Sequence, residues 1–312
     1  MADATLALPQ KVKTALDETR ILVLGAQVLL GFQFRGTFQE GFEQLPETER
    51  VLNAVALILM CGALALLVAP SLYHRVIAAG EDSGWLHGLI SRTAQCALAP
   101  FALSLGIDVH IGLARIAGFQ SGVAAGVMFA ALALFWWYGF AWIRRVSVGA
   151  KERRMAAARR EEIERTPLHR KIEQLLTEAR VILPGAQALL GFQLAIIVTQ
   201  AFEKLPPYVK AVHGGSVGLL ALSIVLLMAP AAYHRIVYAG EDAVEFHRTG
   251  SVLVTAATVP LALGIAADVF VVMTRIVASL SVAAGVAALV LGIFVTLWYV
   301  YPLCRRARLA RA

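Results

Sequence analysis

The sequence predicts an all-α, polytopic membrane protein with eight transmembrane helices, built as two four-helix repeats of the same orientation. Three observations lead there. The 312-residue chain is 59% hydrophobic and only 16% charged, whereas soluble domains run near about 25% charged, and its mean hydropathy is +0.70. Apolar runs recur at close to the about 20 residues that cross a bilayer core. Most of the first half also recurs 160 residues later.

The apolar runs cover residues 51–70, 90–109, 116–143, 212–230, 252–272 and 276–303, and two shorter or interrupted ones lie at 21–34 and 181–199. Residues 1–20 carry Lys11, Lys13, Asp17, Glu18 and Arg20. They lack the apolar run and small-residue cleavage site of a signal peptide, so the first span is expected to insert directly. Cys61, Cys96 and Cys304 share no metal or redox spacing and read as small packing residues.

The repeat organises everything else. "ETRILVLGAQVLLGFQ" (18–33) returns as "EARVILPGAQALLGFQ" (178–193), and "FEQLP" (42–46) as "FEKLP" (202–206). "APSLYHRVIAAGED" (69–82) returns as "APAAYHRIVYAGED" (229–242), identical at nine of fourteen positions. Four spans per copy is an even number, so both copies sit in the membrane the same way up, as parallel repeats about an axis along the membrane normal. An internal pseudo-dimer follows, with a first repeat over 1–145, a basic connector over 146–171 and a second repeat over 172–312.

Lys and Arg gather at the N-terminus, in the connector and in the tail (Arg305, Arg306, Arg308 and Arg311). By the positive-inside rule that face is cytoplasmic, with both termini on it. The expected location is a bacterial inner (cytoplasmic) membrane. The connector, "KERRMAAARREEIERTPLHRKIEQLLTEAR", reads as a charged helix broken near Pro167. It serves as topology signal and tether, or as a contact for anionic lipid.

The first span of each copy is unusual. It carries Gln27, Gln33, Gly25 and Gly31 in one copy and Gln187, Gln193, Gly185, Gly191 and Pro184 in the other. Amides in lipid must find partners or water. At 100° per residue Arg20, Gln27 and Gly31 fall within about 40° of one another, as do Arg180, Gln187 and Gly191. Interrupted spans at matching positions of two halves point to a transport path. Close helix packing at the glycines, with Gln27 bonding across the pseudo-dimer, is the competing reading.

The second and third spans meet in the repeated motif. Pro70 and Pro230 are expected to kink or end their helices. Beyond them stand His74 and His234, then Glu81-Asp82 and Glu241-Asp242, then His87 and His247. A histidine beside a carboxylate takes up and releases protons near neutral pH. The same groups suit a divalent metal less well, because this spacing is no established ligand pattern. The bland alternative is that Arg75 anchors the interface and pairs with Glu81 or Asp82. Asp108 and Asp268 follow in the third span, with Arg115 and Arg275 seven residues on as candidate ion-pair partners. Such a series would line a polar path. The copies diverge at Arg35/Ala195, Arg92/Val252, His110/Phe270 and Asn53/His213.

The ordered set E-x-R-x4-GAQ-x-L-x-GFQ, F-E-x-LP and AP-x-x-YHR over four spans resembles a bacterial family of short four-helix membrane proteins of unknown function, some labelled sodium/proton antiporter. The resemblance covers both halves, so the chain looks like a tandem fusion of two such units. It implies that the short members pair as homodimers.

Together these features suggest an integral membrane protein that transports a small ion with proton coupling. The alternatives are a membrane scaffold, sensor or subunit binding lipid or a protein partner, and a membrane metal or haem protein. The expected partners are the bilayer, small ions or protons, anionic lipid at the connector and further copies of the chain. No enzyme signature is present, and no cofactor or metal site is assigned. Nucleic acid is not expected despite the net charge of +7, since the basic residues cluster where topology demands them.

Overall fold

The computed structural model describes residues 8–77, 84–139, 167–238, 242–277 and 279–309, with the backbone alone at 8–18, 20, 84–87, 139 and 309. Among the described residues all regular structure is helical. The first repeat holds α1 (Leu8–Gly36), a 3-10 turn (Glu40–Phe42), α2 (Glu47–Val76), α3 (Gly84–Ala117) and α4 (Phe119–Leu134), which runs on into a π-turn at Phe135–Gly139. The second holds α5 (Leu168–Ile197), the short α6 (Gln200–Glu203), α7 (Pro207–Tyr238), α8 (Val244–Ile276) and α9 (Leu280–Val295), then a π-turn at Thr296–Val300 and α10 (Tyr301–Leu309). Seven described stretches are long and apolar enough to cross a membrane, and the apolar part of α1, Ile21–Gly36, is a shorter candidate. This is the fold of a multi-pass membrane protein.

Local chemistry sets the helix ends. Pro46 and Pro167 precede α2 and α5, and Pro207 opens α7, positions where the missing N–H costs no intrahelical bond. Glu47 and Glu49 sit in the first turn of α2 and His74 and Arg75 in its last, each sign matching the helix dipole. Gly118, at φ 87°, takes a backbone conformation that side-chain-bearing residues avoid. It separates α3 from α4, so the span expected over 116–143 begins at Phe119. The run over 276–303 likewise begins at the last residue of α8. Pro70 and Pro230 do not end their helices: α2 and α7 continue through both. The connector expected over 146–171 lies outside the described residues up to 166, and its last residues already belong to α5.

Two contacts fix the relation between the repeats. Gln27 of α1 faces Gly185 of α5, and Gly31 faces Phe192. Both numbers rise together, so the helices run parallel, as two repeats of one orientation require. A Cβ at Gly31 would stand 2.1 Å from Phe192 Cδ2; only glycine lets the ring in. Gly25, by contrast, meets only Phe101 at ordinary distance.

The rest of the contact is one-sided. α2 packs against α8, α9, the second π-turn and α10, and the Trp298 indole donates to the Ala65 carbonyl at 2.9 Å. A two-fold would require α7 to pack in the same way on α3 and α4, and no comparable packing exists among the described residues. The expected pseudo-two-fold is therefore broken: one repeat lays its α2 into the other, and the exchange is not returned.

Candidate functional site

Three polar levels interrupt the apolar core. The first lies toward the end of the bundle that carries the F-E-x-LP loops. The Gln33 amide nitrogen donates to Ser104 Oγ at 2.8 Å and to Asp108 Oδ2 at 2.9 Å, using both of its hydrogens. Ser104 in turn donates to the Ala56 carbonyl at 2.8 Å. In the second repeat the Gln193 amide donates to Ser216 Oγ at 2.5 Å and to Asp268, and Ser216 donates to the Gly264 carbonyl at 2.8 Å. His213 adds Nδ1 at 3.7 Å from Asp268 Oδ1 and Nε2 at 3.2 Å from the Gln193 carbonyl. Asn53 fills the same place in the first repeat, buried. In both copies the glutamine Oε1 is buried without a hydrogen-bond partner among the described residues.

Neither aspartate pairs with the arginine seven residues on. Arg115 donates to Gln44 at 3.1 Å and Arg275 to Glu43 at 2.8 Å, both in the loop after α1. Arg115 is exposed, whereas the Arg275 side chain is 13% exposed and lies over the Phe38 ring. Both point away from the carboxylates, which keep their glutamine partners. Arg275 holds the exposed Glu43 carboxyl below the usual carboxylate range, by hydrogen bond and by charge.

The second level is at the opposite end, and it crosses between repeats. His74 Nδ1 lies 2.6 Å from Glu178 Oε1. The Arg75 Nε–H donates to Glu178 Oε2, and Arg75 Nη1 reaches the Ser251 carbonyl at 3.5 Å. Glu178 is 1% exposed. His247 and Lys171 lie within electrostatic range of the cluster. Arg75 thus pairs with Glu178 of the other repeat. Glu81, Asp82 and Glu241 lie outside the described residues, as does the side chain of His87. The pseudo-equivalent His234 stacks on Phe246 with ring centroids 4.4 Å apart, and Arg235 is exposed. Asp242 meets His169 Nδ1 at 2.9 Å on the surface.

Gln27 forms the third level alone. It is 0% exposed, and neither of its amide atoms has a partner among the described residues. The expected hydrogen bond across the pseudo-dimer is not made, because the group opposite is Gly185. At 1.5 Å per residue, Gln27 lies about 9 Å along α1 from Gln33, and Gly185 about 10 Å along α5 from Glu178. Gln187 and Arg180 are exposed, so they line no interior path within one chain; the side chain of Arg20 is outside the described set.

The site therefore contains residues that the sequence reading did not single out: Glu178, Ser104, Ser216 and His213. Glu178 had a signal. It opens the repeated E-x-R, and by helical angle it falls with Gly185 and Gln193 on the side of α5 opposite Arg180 and Gln187. Among the described residues no three His, Cys, Asp or Glu side chains gather to hold a metal ion.

Neither a curated protein nor a solved structure matches the chain. A family of unknown function, DUF6328, matches it twice, over residues 7–141 and again over 161–302, with no antiporter description attached. Because those two matches span most of the chain, it belongs to the DUF6328 family as a tandem of two family units.

Proposed function

We propose that this protein carries protons across a bacterial inner membrane in exchange for a small cation, with the connector end in the cytoplasm. Asp108 and Asp268 are the groups that exchange a proton for the cation. The supporting observation is the repeated Gln–Ser–Asp arrangement. In both repeats a carboxylate, buried at Asp268 and half-buried at Asp108, is held between helices by a glutamine amide, and the oxygen of that glutamine is left without a hydrogen-bond partner among the described residues. A buried acceptor without a donor is costly. A cation or a protonated carboxyl would supply what that oxygen lacks. Polar groups inside a membrane-spanning bundle are expensive, and they mark ion pathways.

In this reading Gln27 is the halfway station. The His74–Glu178 pair is the proton acceptor at the cytoplasmic end, with His247 within electrostatic range of it. The levels are separated by apolar side chains, as an alternating carrier needs and an open pore does not. The cross-repeat position of Glu178 favours a second role for that cluster, as a fastener between the repeats.

The test is ion flux in proteoliposomes under an imposed pH gradient, offering sodium, potassium and lithium in turn, for wild type and the His74→Ala/His234→Ala double variant. Cation-dependent proton movement in wild type supports transport. Its loss in the variant places the histidines in the path, and its survival leaves them as fasteners. No flux from folded protein with any of the cations removes the transport reading.

A further inference from the structure

We infer that a second copy of this chain docks on the outer face of α5 and α7, through the contact that already joins the two repeats. Within one chain that contact has two parts. Phe192 of α5 seats on Gly31 of α1, and Trp298 of the π-turn, 0% exposed, seats on α2 at Ala65. Shifted by one repeat, the receiving positions become Gly191 and Val225, and the inserting ones become Phe32 and Trp137.

The two receiving positions are open in the single chain. Gly191 is exposed, and nothing lies within 4 Å of the place a Cβ would take. Val225 is 62% exposed and lines an apolar groove of about 640 Å³ between α5 and α7, together with Leu176, Leu183 and Met228. Of the inserting positions, Phe32 is 53% exposed at the edge of the existing contact, its ring 4.6 Å from that of Phe192, and Trp137 is half-buried, its ring 5.8 Å from that of Phe101 in its own repeat. The groove is thus the vacant counterpart of the seat that Trp298 fills.

Polarity argues that lipid is the wrong cover for this face. Arg180 lines the groove, and Arg180, Gln187 and Gly191 lie exposed along one side of α5. On α1 the equivalent Gln27 and Gly31 are buried by α5. An amide in the middle of a spanning helix is costly against hydrocarbon. The same surface of the same unit is covered once and uncovered once. A contact between different faces of like units propagates, closing into a ring where the rotation allows, so a second chain offers the missing α1 and α3–α4 surfaces.

The experiment uses the full chain with Cys61, Cys96 and Cys304 replaced by serine. Chains bearing Val225→Cys and chains bearing Trp137→Cys are co-expressed, oxidised in native membranes and run on denaturing gels, while native mass spectrometry reads the mass in detergent. The expected result is a covalent dimer only when both variants are present, and a native mass of two or more chains. Gly191→Phe, which fills open space in the single chain and so leaves its fold intact, is expected to abolish both. A monomer by mass with no cross-link overturns the proposal, as does a monomer carrying bound lipid in the groove. An oligomer that cross-links at other positions and ignores Gly191→Phe overturns it equally.

Discussion

Ser104 and Ser216 occupy opposite helices of their repeats and bridge the same pair of helices at the same level. Ser104, on α3, donates to the carbonyl of Ala56 on α2. Ser216, on α7 at the position of Ala56, donates to the carbonyl of Gly264 on α8, at the position of Ser104. Each accepts from the glutamine that holds the aspartate. The hydroxyl has changed helices while its place beside Gln and Asp has stayed, so that place is what both repeats require.

Ser104→Ala removes an acceptor for the Gln33 amide inside the bundle, where a lost hydrogen bond costs about 1–2 kcal/mol. Ala56→Ser added to it rebuilds the bridge from the other helix, as the second repeat does. Thermal unfolding in detergent is expected to fall for the single variant and recover for the pair.

Glu178→Ala strips the partner from a buried arginine and is expected to destabilise by about 3–5 kcal/mol. Replacing both ends, as Glu178→Leu with Arg75→Met, removes the stranded charge and is expected to recover most of the loss. Urea titration of the three proteins in the same micelles compares them.

Gly31→Ala forces Phe192 out of its seat. Overpacking of this kind costs about 1–3 kcal/mol, and the damage falls between the repeats. Limited proteolysis at the connector is expected to separate the halves of the variant more readily than those of wild type.

The Arg275–Glu43 pair joins the repeats at the loop end. Glu43 has its pKa lowered by folding, so the pair's contribution is complete above the ordinary carboxylate range and lost as pH falls through the depressed value. The difference in melting temperature between wild type and Glu43→Gln is expected to be present near pH 7 and to shrink as pH falls below the ordinary carboxylate range.

Much of this was legible in the sequence because membrane helices announce themselves by length and apolarity, and a duplication by self-similarity. The parallel repeat and the short first span followed from those patterns. Close packing at Gly25 and Gly31, one of two readings of that span, holds at Gly31 and not at Gly25. Partner choice did not follow. Arg75 looks local to Glu81, yet it pairs with Glu178, 103 positions away. Asp108 looks paired with Arg115, yet it pairs with Gln33. Sequence spacing ranks neighbours along one helix, whereas buried polar groups are satisfied across helices. The broken two-fold was also invisible, because two like halves suggest like surroundings, and only packing shows that α2 is enclosed while α7 is not.

The most direct measurement is proton movement into proteoliposomes driven by an imposed cation gradient, for wild type and the Asp108→Asn/Asp268→Asn double variant. Asparagine keeps the shape and can still accept from Gln33 and Gln193, but it cannot take up or release the proton. If the two carboxylates are the exchanging groups, wild type moves protons and the variant, equally folded by circular dichroism, falls to the background of empty liposomes. Undiminished flux in the variant would contradict that assignment and leave Asp108 and Asp268 as structural polar contacts.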